Sequence, residues 1–520
     1  MSRGGWAQAA RRIGCGLLLT VVAAYLALFT AHSVTRMRNF SPDSMNYVSV
    51  ARNVSRGLGL SQPALGFNQP RWPVDAALPA PFTSQPPLYP LTVAALGGLL
   101  PSHADAALLV AALCYAGILA VGTALAAQLY GPAAAMLALA LLLVHRPLYY
   151  VAGYAWSEPL GILLVLLSLL PAARAQRRPD GSAWFWLASG LCAGLAFATR
   201  YLLLAAVVSS RALLLRNRRS LRPLLAYAAG IAVPVLLVMG RNLALTGTLM
   251  GSRPNPSLLG LDENLAAAFR NVFGSFFGDM PEGPATLLLV AVVTLGLALL
   301  VRRRELAGGL RQPGTWLLGA WSCAYLALLI GQRSLIHFDA IGPRLVAPAT
   351  VTLVLLLAGL TARAFRVRPG LALGIALVVA AGCLARQVRF ASGPTVTDAA
   401  RIEASPRLLW VERNTTAADL IIGDDTMDIP FYLDRPLVVS FSPYPYTDHP
   451  TYEHLAAFAR GRGYQKAFLV LRDRYFSDGD WRWHYGDFIA DLVAGRTDAY
   501  PGVRELARLQ DGYVFEMAVP

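Results

Sequence analysis

The sequence predicts a polytopic α-helical membrane protein that carries a small soluble α/β domain at its C-terminal end. Three observations indicate this fold class. Only 14% of the 520 residues are charged and 56% are hydrophobic, whereas soluble domains carry about 25% charged residues. Apolar runs follow one another as far as residue 386. From about residue 388 onward the composition changes to that of a soluble domain.

The apolar runs predict about eleven transmembrane helices, because a span needs roughly 20 apolar residues. The predicted spans are 13–31, 105–129, 132–150, 155–173, 183–199, 201–215, 223–240, 285–301, 315–331, 345–362 and 370–386. The run 88–100 is shorter and follows Pro86-Pro87, so we interpret it as an interfacial or re-entrant helix. The first run lacks a clear cleavage site, which favours an uncleaved span over a signal peptide.

The charge distribution orients these spans. The net charge is +15, and such an excess can indicate nucleic-acid binding. Here, however, the arginines form short clusters in every second loop, which is the positive-inside pattern. We therefore predict no nucleic-acid partner, a cytoplasmic N-terminus and an extracytoplasmic C-terminal domain. The long loop 32–104 then lies outside, and its own arginines suggest contacts with anionic headgroups or phosphates. These are Arg36, Arg38, Arg52, Arg56 and Arg71.

The domain boundary is placed between residues 387 and 388. Residues 1–387 form the predicted transmembrane domain, and residues 388–520 form the soluble domain. Short apolar strands are predicted in the soluble part, with helical patterns between them, which is typical of a small α/β domain. These strands are Leu420–Gly423, Leu437–Phe441, Ala467–Leu471 and Tyr513–Ala518. The five cysteines all lie in apolar runs, so the spacing indicates no disulfide framework and no CxxC metal site.

The first acidic residue, Asp43, follows the first span. Ser41-Pro42-Asp43 is typical of a helix start, with serine as N-cap, proline at the first position and an acid in the first turn. Tyr47 lies at helical spacing from Asp43, so we expect an amphipathic helix whose apolar side rests on the membrane. Asp43 is then either a helix-stabilising acid or a catalytic group, and the pattern leaves both open.

Further acids and arginines lie at the predicted outer ends of later spans. Glu158 opens the fourth span, Arg200-Tyr201 separates two spans, Arg241 begins an outer loop and Arg344 closes another. A charged group at membrane depth is expensive and marks a functional candidate. Each of these residues also has a plain interfacial explanation, such as an arginine that extends to headgroups.

Several kinds of chemistry have no motif in the sequence. The histidines show no ligand spacing, so no metal site is predicted, although a need for a divalent metal is not decided. Walker A, GxGxxG and GxSxG motifs are absent from the sequence, which argues against ATP-driven and nicotinamide chemistry. We therefore expect no cofactor.

The ordered motifs resemble those of the GT-C superfamily of membrane glycosyltransferases. The nearest group resembles the protein mannosyltransferase and aminoarabinose transferase relatives, whose bacterial members are called RgtA/B/C/D-like. The matching motifs are Asp43, Tyr47, Ala51-Arg52-Asn53, Gly57-Leu58-Gly59, Pro86-Pro87-Leu88-Tyr89-Pro90, Ser157-Glu158-Pro159-Leu160, Thr199-Arg200-Tyr201, Arg241-Asn242 and Gly342-Pro343-Arg344. One departure is Ser44, which stands where several members have a second acid.

The resemblance implies sugar transfer from a polyprenyl-phosphate donor in the bacterial plasma membrane, to a glycan, lipid or protein acceptor. Asp43 would be the general base, acting alone or with Glu158 as a second catalytic acid. The donor phosphate would be bound by Arg200, Arg241 and Arg344. Substrate contacts are expected from the neighbouring aromatic residues of the motifs. These are Tyr47, Tyr89 and Tyr201.

Two alternatives to a transferase remain. A transporter or flippase of lipid-linked sugars would also use a polytopic membrane domain, but such proteins often show repeated halves and acids in mid-membrane. A receptor or scaffold would use the C-terminal domain for binding and the membrane part as an anchor. Eleven spans exceed what an anchor needs.

Overall fold

The computed structural model describes residues 3–65, 78–175, 183–206, 221–251, 256–257, 259–277, 313–336, 338–416, 418–424, 427–441, 452–464, 466–472, 488–489 and 491–518. The chain divides into two compact units. The first, here the helical unit, consists of Met1–Arg38, Leu108–Met239 and Ser257–Pro394. The second, here the sheet unit, consists of Asn39–Ala107, Gly240–Pro256 and Thr395–Pro520.

The helices, in chain order, are α1 (Arg3–His32), α2 (Pro42–Ser55), α3 (Leu88–Gly97), α4 (His103–Tyr130), α5 (Pro132–Val144), α6 (Arg146–Ala152), α7 (Glu158–Ala175), α8 (Ala183–Thr199), α9 (Leu221–Thr246), α10 (Leu261–Phe277), α11 (Pro313–Leu335), α12 (Pro343–Ala364), α13 (Pro369–Phe390), α14 (Asp398–Glu403), α15 (Pro406–Asn414), α16 (Asp428–Leu433) and α17 (Tyr452–Gly461). The strands are β1 (Ser61–Gln62), β2 (Ala64–Leu65), β3 (Ala80–Pro81), β4 (Leu420–Asp424), β5 (Leu437–Phe441), β6 (Lys466–Arg472), β7 (Val503–Leu509) and β8 (Gly512–Ala518).

The predicted polytopic helical fold is confirmed. Within the described ranges, seven helices are long and apolar enough to cross a membrane, or eight if α5 and α6, which meet at a 60° bend, form one broken span. The predicted span 183–199 forms α8, a shorter apolar helix. The predicted span 201–215 starts as a 3₁₀ turn at Tyr201–Leu204, and its remainder beyond residue 206 lies outside the described residues, as does the whole of 285–301.

Glycines allow α8 and α9 to approach closely within the helical unit. A Cβ atom on Gly190 would lie 2.2 Å from the carbonyl oxygen of Tyr227, and one on Gly230 would lie 2.4 Å from that of Leu187. Helices in membranes associate through such small residues, because lipid provides little hydrophobic driving force and packing must supply the attraction. Larger side chains at these two positions would force the backbones apart.

Replacement of Gly190 with leucine is expected to destabilise the helical unit. Overpacking usually costs about 1–3 kcal/mol, and the obstacle here is backbone, which cannot rotate away. The measurement is the thermal midpoint of the detergent-solubilised protein. Gly374→Leu is the matched control, since a Cβ there meets nothing within 4 Å. Equal midpoints for the two variants would contradict the close approach.

The sheet unit is built around a six-stranded sheet with the order β2-β5-β4-β6-β8-β7. The pairs β2–β5, β5–β4 and β4–β6 are parallel, whereas β6–β8 and β8–β7 are antiparallel. The predicted strands correspond to β4, β5, β6 and β8. Sequence reasoning missed β7, an edge strand that carries Arg504, Glu505 and Arg508. Charged side chains are typical of edge strands, because they discourage pairing with other chains.

The loop that follows α1 contributes directly to the sheet unit. Strand β2 pairs with Leu437 and Val438 of β5, so the first loop supplies an edge of the sheet. Arg56 donates two hydrogen bonds to the carboxylate of Asp434, at 3.0 and 2.6 Å, and Arg52 donates a third at 3.2 Å. Asp434 thus pairs with both arginines, and their suggested contacts with headgroups or phosphates stay predictions, while Arg71 lies outside the described residues.

Candidate active site

Helix α2 begins as the sequence predicts. Ser41 is the N-cap, and its Oγ accepts a hydrogen bond from the backbone N–H of Ser44 at 3.3 Å. Asp43 therefore lies in the first turn. Its Oδ1 accepts a hydrogen bond from Nε2 of Gln85 at 3.2 Å. Sequence reasoning missed Gln85, although a polar residue directly before Pro86-Pro87 is a signal that could have found it.

The apolar side of α2 is covered by protein, so the expectation that it rests on the membrane was wrong. Tyr47 and Tyr89 are both buried, and their rings meet edge to face at 5.0 Å between α2 and α3. The hydroxyl of Tyr89 donates to the carbonyl of Ala107 at 3.3 Å. A substrate-binding role for these two tyrosines stays a prediction, and their burial favours a packing role.

The Ala-Arg-Asn and Gly-x-Gly motif shapes the chain after α2. The guanidinium group of Arg52 reaches α16, and the buried amide of Asn53 donates to the carbonyl of Ser61 at 3.0 Å. Gly57 and Gly59 have positive φ angles of 77° and 67°, a region that favours glycine. These residues hold the loop in place, which supports the position of Asp43 indirectly.

Arg241 also contacts this loop. Its Nη1 donates to the carbonyl of Phe82 at 2.8 Å, and its Nη2 donates to the carbonyl of Leu60 at 3.1 Å. Phe82 lies three residues before Gln85, the hydrogen-bond donor to Asp43. Arg241 therefore fixes the position of the segment that contains Gln85. Two of its N–H groups therefore already donate to carbonyl groups of the loop. Its contact with a donor phosphate stays a prediction.

The helical unit contains a second group of predicted site residues, here the arginine cluster of Glu158, Arg200 and Arg344. Glu158 is the first residue of α7, Arg200 directly follows α8, and Arg344 lies in the first turn of α12. Oε1 of Glu158 accepts a hydrogen bond from Nη1 of Arg200 at 2.6 Å and another from Nε of Arg344. Three helix ends thus meet at one carboxylate oxygen.

Burial and charge define what this cluster can do. The side chain of Glu158 is 1% exposed, and its Oε2 has no hydrogen-bond partner among the described residues. Both arginines remain partly exposed. The two guanidinium groups share the buried carboxylate of Glu158, and Arg344 also pairs with the exposed carboxylate of Asp339. Such an arrangement can bind an anion through bidentate hydrogen bonds.

Neighbouring side chains fix Arg344. The guanidinium group of Arg344 makes a cation–π contact with the ring of Trp156, with 4.3 Å between Cζ and the ring centroid. The exposed carboxylate of Asp339 accepts a hydrogen bond from its Nη1 at 3.4 Å. The contact of Trp156 with Arg344 was not predicted from the sequence. The signal that could have indicated it is an aromatic residue two positions before Glu158.

Tyr201 follows Arg200 and begins the short 3₁₀ turn. Its ring is tilted against that of Phe197, with 5.3 Å between centroids, and it is only half-buried. A substrate contact at Tyr201 stays a prediction.

The comparisons with known proteins agree with this architecture. The family model for dolichyl-phosphate-mannose-protein mannosyltransferase matches residues 84–241. The crystal structure of ArnT from Cupriavidus metallidurans in the apo state is similar over 97% of this chain and 98% of that chain, with 14% identity and a TM-score of 0.61. The chain has the GT-C glycosyltransferase fold.

The crystal structure of ArnT from Cupriavidus metallidurans bound to undecaprenyl phosphate is similar to this chain as well. The likeness covers 97% of this chain and 99% of the other, with 15% identity and a TM-score of 0.57. No curated protein sequence matches the chain. The family match begins just before Gln85 and contains both Glu158 and Arg200. The fold that the resemblance implied, that of GT-C glycosyltransferases, is therefore confirmed.

Proposed function

We propose that this GT-C protein is an inverting glycosyltransferase, which moves a sugar from a polyprenyl-phosphate donor to an acceptor outside the bacterial plasma membrane. The observation that carries the proposal is the meeting of two partly exposed guanidinium groups, those of Arg200 and Arg344, at the ends of three helices, since guanidinium groups suit a lipid phosphate. The solved ArnT structure with undecaprenyl phosphate supports a donor of this class. The arginine pattern of the loops supports the outer side, with the N-terminus in the cytoplasm and the C-terminus outside.

The leaving phosphate gains charge as the bond to the sugar breaks. Preorganised cationic donors stabilise such charge most in a site that excludes water. Arg200 and Arg344 supply these donors. Glu158 holds both guanidinium groups through one oxygen, so we assign it a positioning role for the arginines and no role in proton transfer.

Asp43 is proposed as the general base. Its carboxylate takes the proton of an acceptor hydroxyl while that oxygen forms a bond to C1 of the sugar, and the bond from C1 to the phosphate oxygen breaks with its electron pair. A single displacement inverts the anomeric centre and needs no second carboxylate as nucleophile. Gln85 orients the carboxylate through its hydrogen bond to Oδ1. We assign no cofactor to this step.

A proteoliposome assay with a radiolabelled polyprenyl-phosphate sugar tests this function. The acceptor mixture is supplied on the outer side, and the assay follows the label in acceptor and lipid fractions. We expect the label to move to the acceptor. A label that stays on the carrier lipid but crosses the bilayer would contradict the proposal and indicate a flippase instead.

A further inference from the structure

The segment 430–438 contacts the helix that carries Asp43, and the proposed chemistry gives this segment no role. It is here called the docking segment. It contains the last turn of α16, the short connection that follows and the first two residues of β5. It lies in the C-terminal part of the sheet unit, Thr395–Pro520, and α2 belongs to the same unit.

Arg52 of α2 binds the end of α16. Its Nη1 donates to the carbonyl of Pro430 at 3.2 Å, and its Nη2 donates to the carbonyl of Phe431 at 3.1 Å. The carbonyl groups in the last turn of a helix have no partner within that helix, and they carry a partial negative charge. The guanidinium group of Arg52 therefore provides these carbonyl groups with both hydrogen bonds and an opposite charge.

The carboxylate of Asp434 pairs with two arginines of the first loop. Arg56 donates to it at 3.0 and 2.6 Å, and Arg52 donates at 3.2 Å. The two arginines are four residues apart, so their side chains are neighbours on one face of the helix. Burial alone would raise the pKa of Asp434, but the hydrogen bonds from Arg56 and the charge of Arg52 outweigh burial and hold this pKa below its usual value. The carboxylate is therefore ionised at neutral pH.

Two further contacts lie on either side of these hydrogen bonds. The ring of Phe40, two residues before α2 begins, packs against the ring of Phe431 with 4.8 Å between centroids. The backbone N–H of Leu437 donates to the carbonyl of Pro63 at 3.0 Å, where β2 pairs with β5. The docking segment therefore contacts the chain before α2, the helix itself and the chain after it.

These contacts bear on the position of Asp43. Asp43 lies in the first turn of α2, and Arg52 lies in the last turn. They are separated by about 13 Å along the axis of one continuous helix, so a displacement of α2 at Arg52 also moves Asp43. A displacement of about 1 Å at a reacting group can lower a reaction rate about 10²-fold.

We propose that the C-terminal part of the sheet unit is a positioning element for the general base, and that Asp434, Arg52 and Arg56 hold α2 so that Asp43 reaches the acceptor hydroxyl. This inference rests on the proposed function, which assigns Asp43 as the base. A catalytic group needs support from rigid elements to keep a productive geometry. The docking segment supplies that support, because it connects α16 with the parallel strand β5.

Charge reversal at Arg56 tests the proposal. Arg56→Glu places a carboxylate opposite Asp434, and like charges at a contact are strongly unfavourable. Adding Asp434→Asn removes this repulsion, and asparagine tolerates the left-handed backbone at this position, where φ is 55°. Both side chains are 48% exposed, so the fold should survive. Arg504→Glu is the matched control, because Arg504 pairs with Glu516 at the edge of the sheet opposite β2.

Hydrogen exchange tests the docking without any substrate. The full-length protein in detergent is followed by mass spectrometry of peptides that cover 42–55. We expect several-fold faster exchange of α2 in Arg56→Glu, slower exchange again in the double variant with Asp434→Asn, and no change in Arg504→Glu. Equal exchange of α2 in the wild type and Arg56→Glu would overturn the docking.

Transfer kinetics test the consequence for the reaction. Arg56→Glu should lower kcat about tenfold or more, with the KM values for donor and acceptor unchanged. Asp434→Asn should lower kcat in the wild-type background and raise it in the Arg56→Glu background. A general loss of stability would not produce this change of sign.

Three results would overturn the positioning role. They are an unchanged kcat in Arg56→Glu, no recovery in the double variant, and a raised acceptor KM with an unchanged kcat. The last result would indicate that this part of the protein binds the acceptor instead. If the wild type transfers no sugar, the proposed function fails, while the exchange measurement still decides whether the docking segment holds α2.

Discussion

Replacing Asp43 with asparagine is expected to lower the rate of sugar transfer by about 10²–10⁴-fold, the range that a positioned general base contributes. Asparagine keeps the shape of the side chain and can still accept a hydrogen bond from Gln85, but it cannot take the proton of the acceptor. The measurement is the initial transfer rate of the purified variant, together with its thermal midpoint to show that it folds.

Asp105→Asn is the matched control for this variant. Asp105 also lies in the first turn of a helix, and its backbone N–H donates a hydrogen bond to Oγ of Ser102 at 3.1 Å. An acid that only complements a helix N-terminus is worth about 0.3–1 kcal/mol of stability. If Asp43→Asn loses that much stability and keeps its transfer rate, Asp43 is a helix-stabilising acid and has no role in the chemistry.

Replacing Glu158 with glutamine is expected to lower both stability and transfer. Removal of one partner from a buried ion pair costs about 3–5 kcal/mol, because the remaining charges are left uncompensated. Here two arginines lose their shared carboxylate, and the geometry that would receive the donor phosphate is lost with it. Loss of one preorganised donor lowers kcat by about 10²–10³-fold, so a decrease of at least that size is expected.

The measurements are chemical denaturation in detergent and a pH profile of the transfer rate. Asp339→Asn is the control, because Asp339 contacts the same Arg344 but is exposed, and exposed pairs contribute only about 0–1 kcal/mol. A Glu158→Gln protein with unchanged stability and a pH profile that has lost one limb would assign proton transfer to Glu158 and contradict the positioning role.

The features that the sequence predicted correctly depend on local pattern. Apolar runs of sufficient length predict membrane spans independently of the helices that they pack against. The N-cap at Ser41 and the proline at the first helical position, Pro42, depend only on residues within one helical turn. The runs Leu420–Gly423 and Ala467–Leu471, which form most of β4 and β6, are likewise recognised from their local apolar pattern. These features need no knowledge of which elements pack together.

The features that the sequence did not predict depend on contacts between distant residues. Gln85 lies 42 residues after Asp43, and Arg344 lies 186 residues after Glu158. The ordered motifs indicated Asp43, Glu158 and Arg344 individually and did not include Gln85. Only tertiary packing decides that one oxygen of Glu158 accepts hydrogen bonds from two arginines. Likewise, β2 has only two residues, and its pairing with β5 cannot be recognised from such a short stretch.

The central claim is that the sugar leaves a polyprenyl phosphate. It is tested most directly by mass spectrometry of the lipid products, when purified protein is incubated with lipid-linked sugars extracted from membranes. We expect one molecule of free polyprenyl phosphate for each sugar that the wild type transfers, and almost none with Asp43→Asn. Sugar transfer without release of polyprenyl phosphate, or equal release by both proteins, would contradict it.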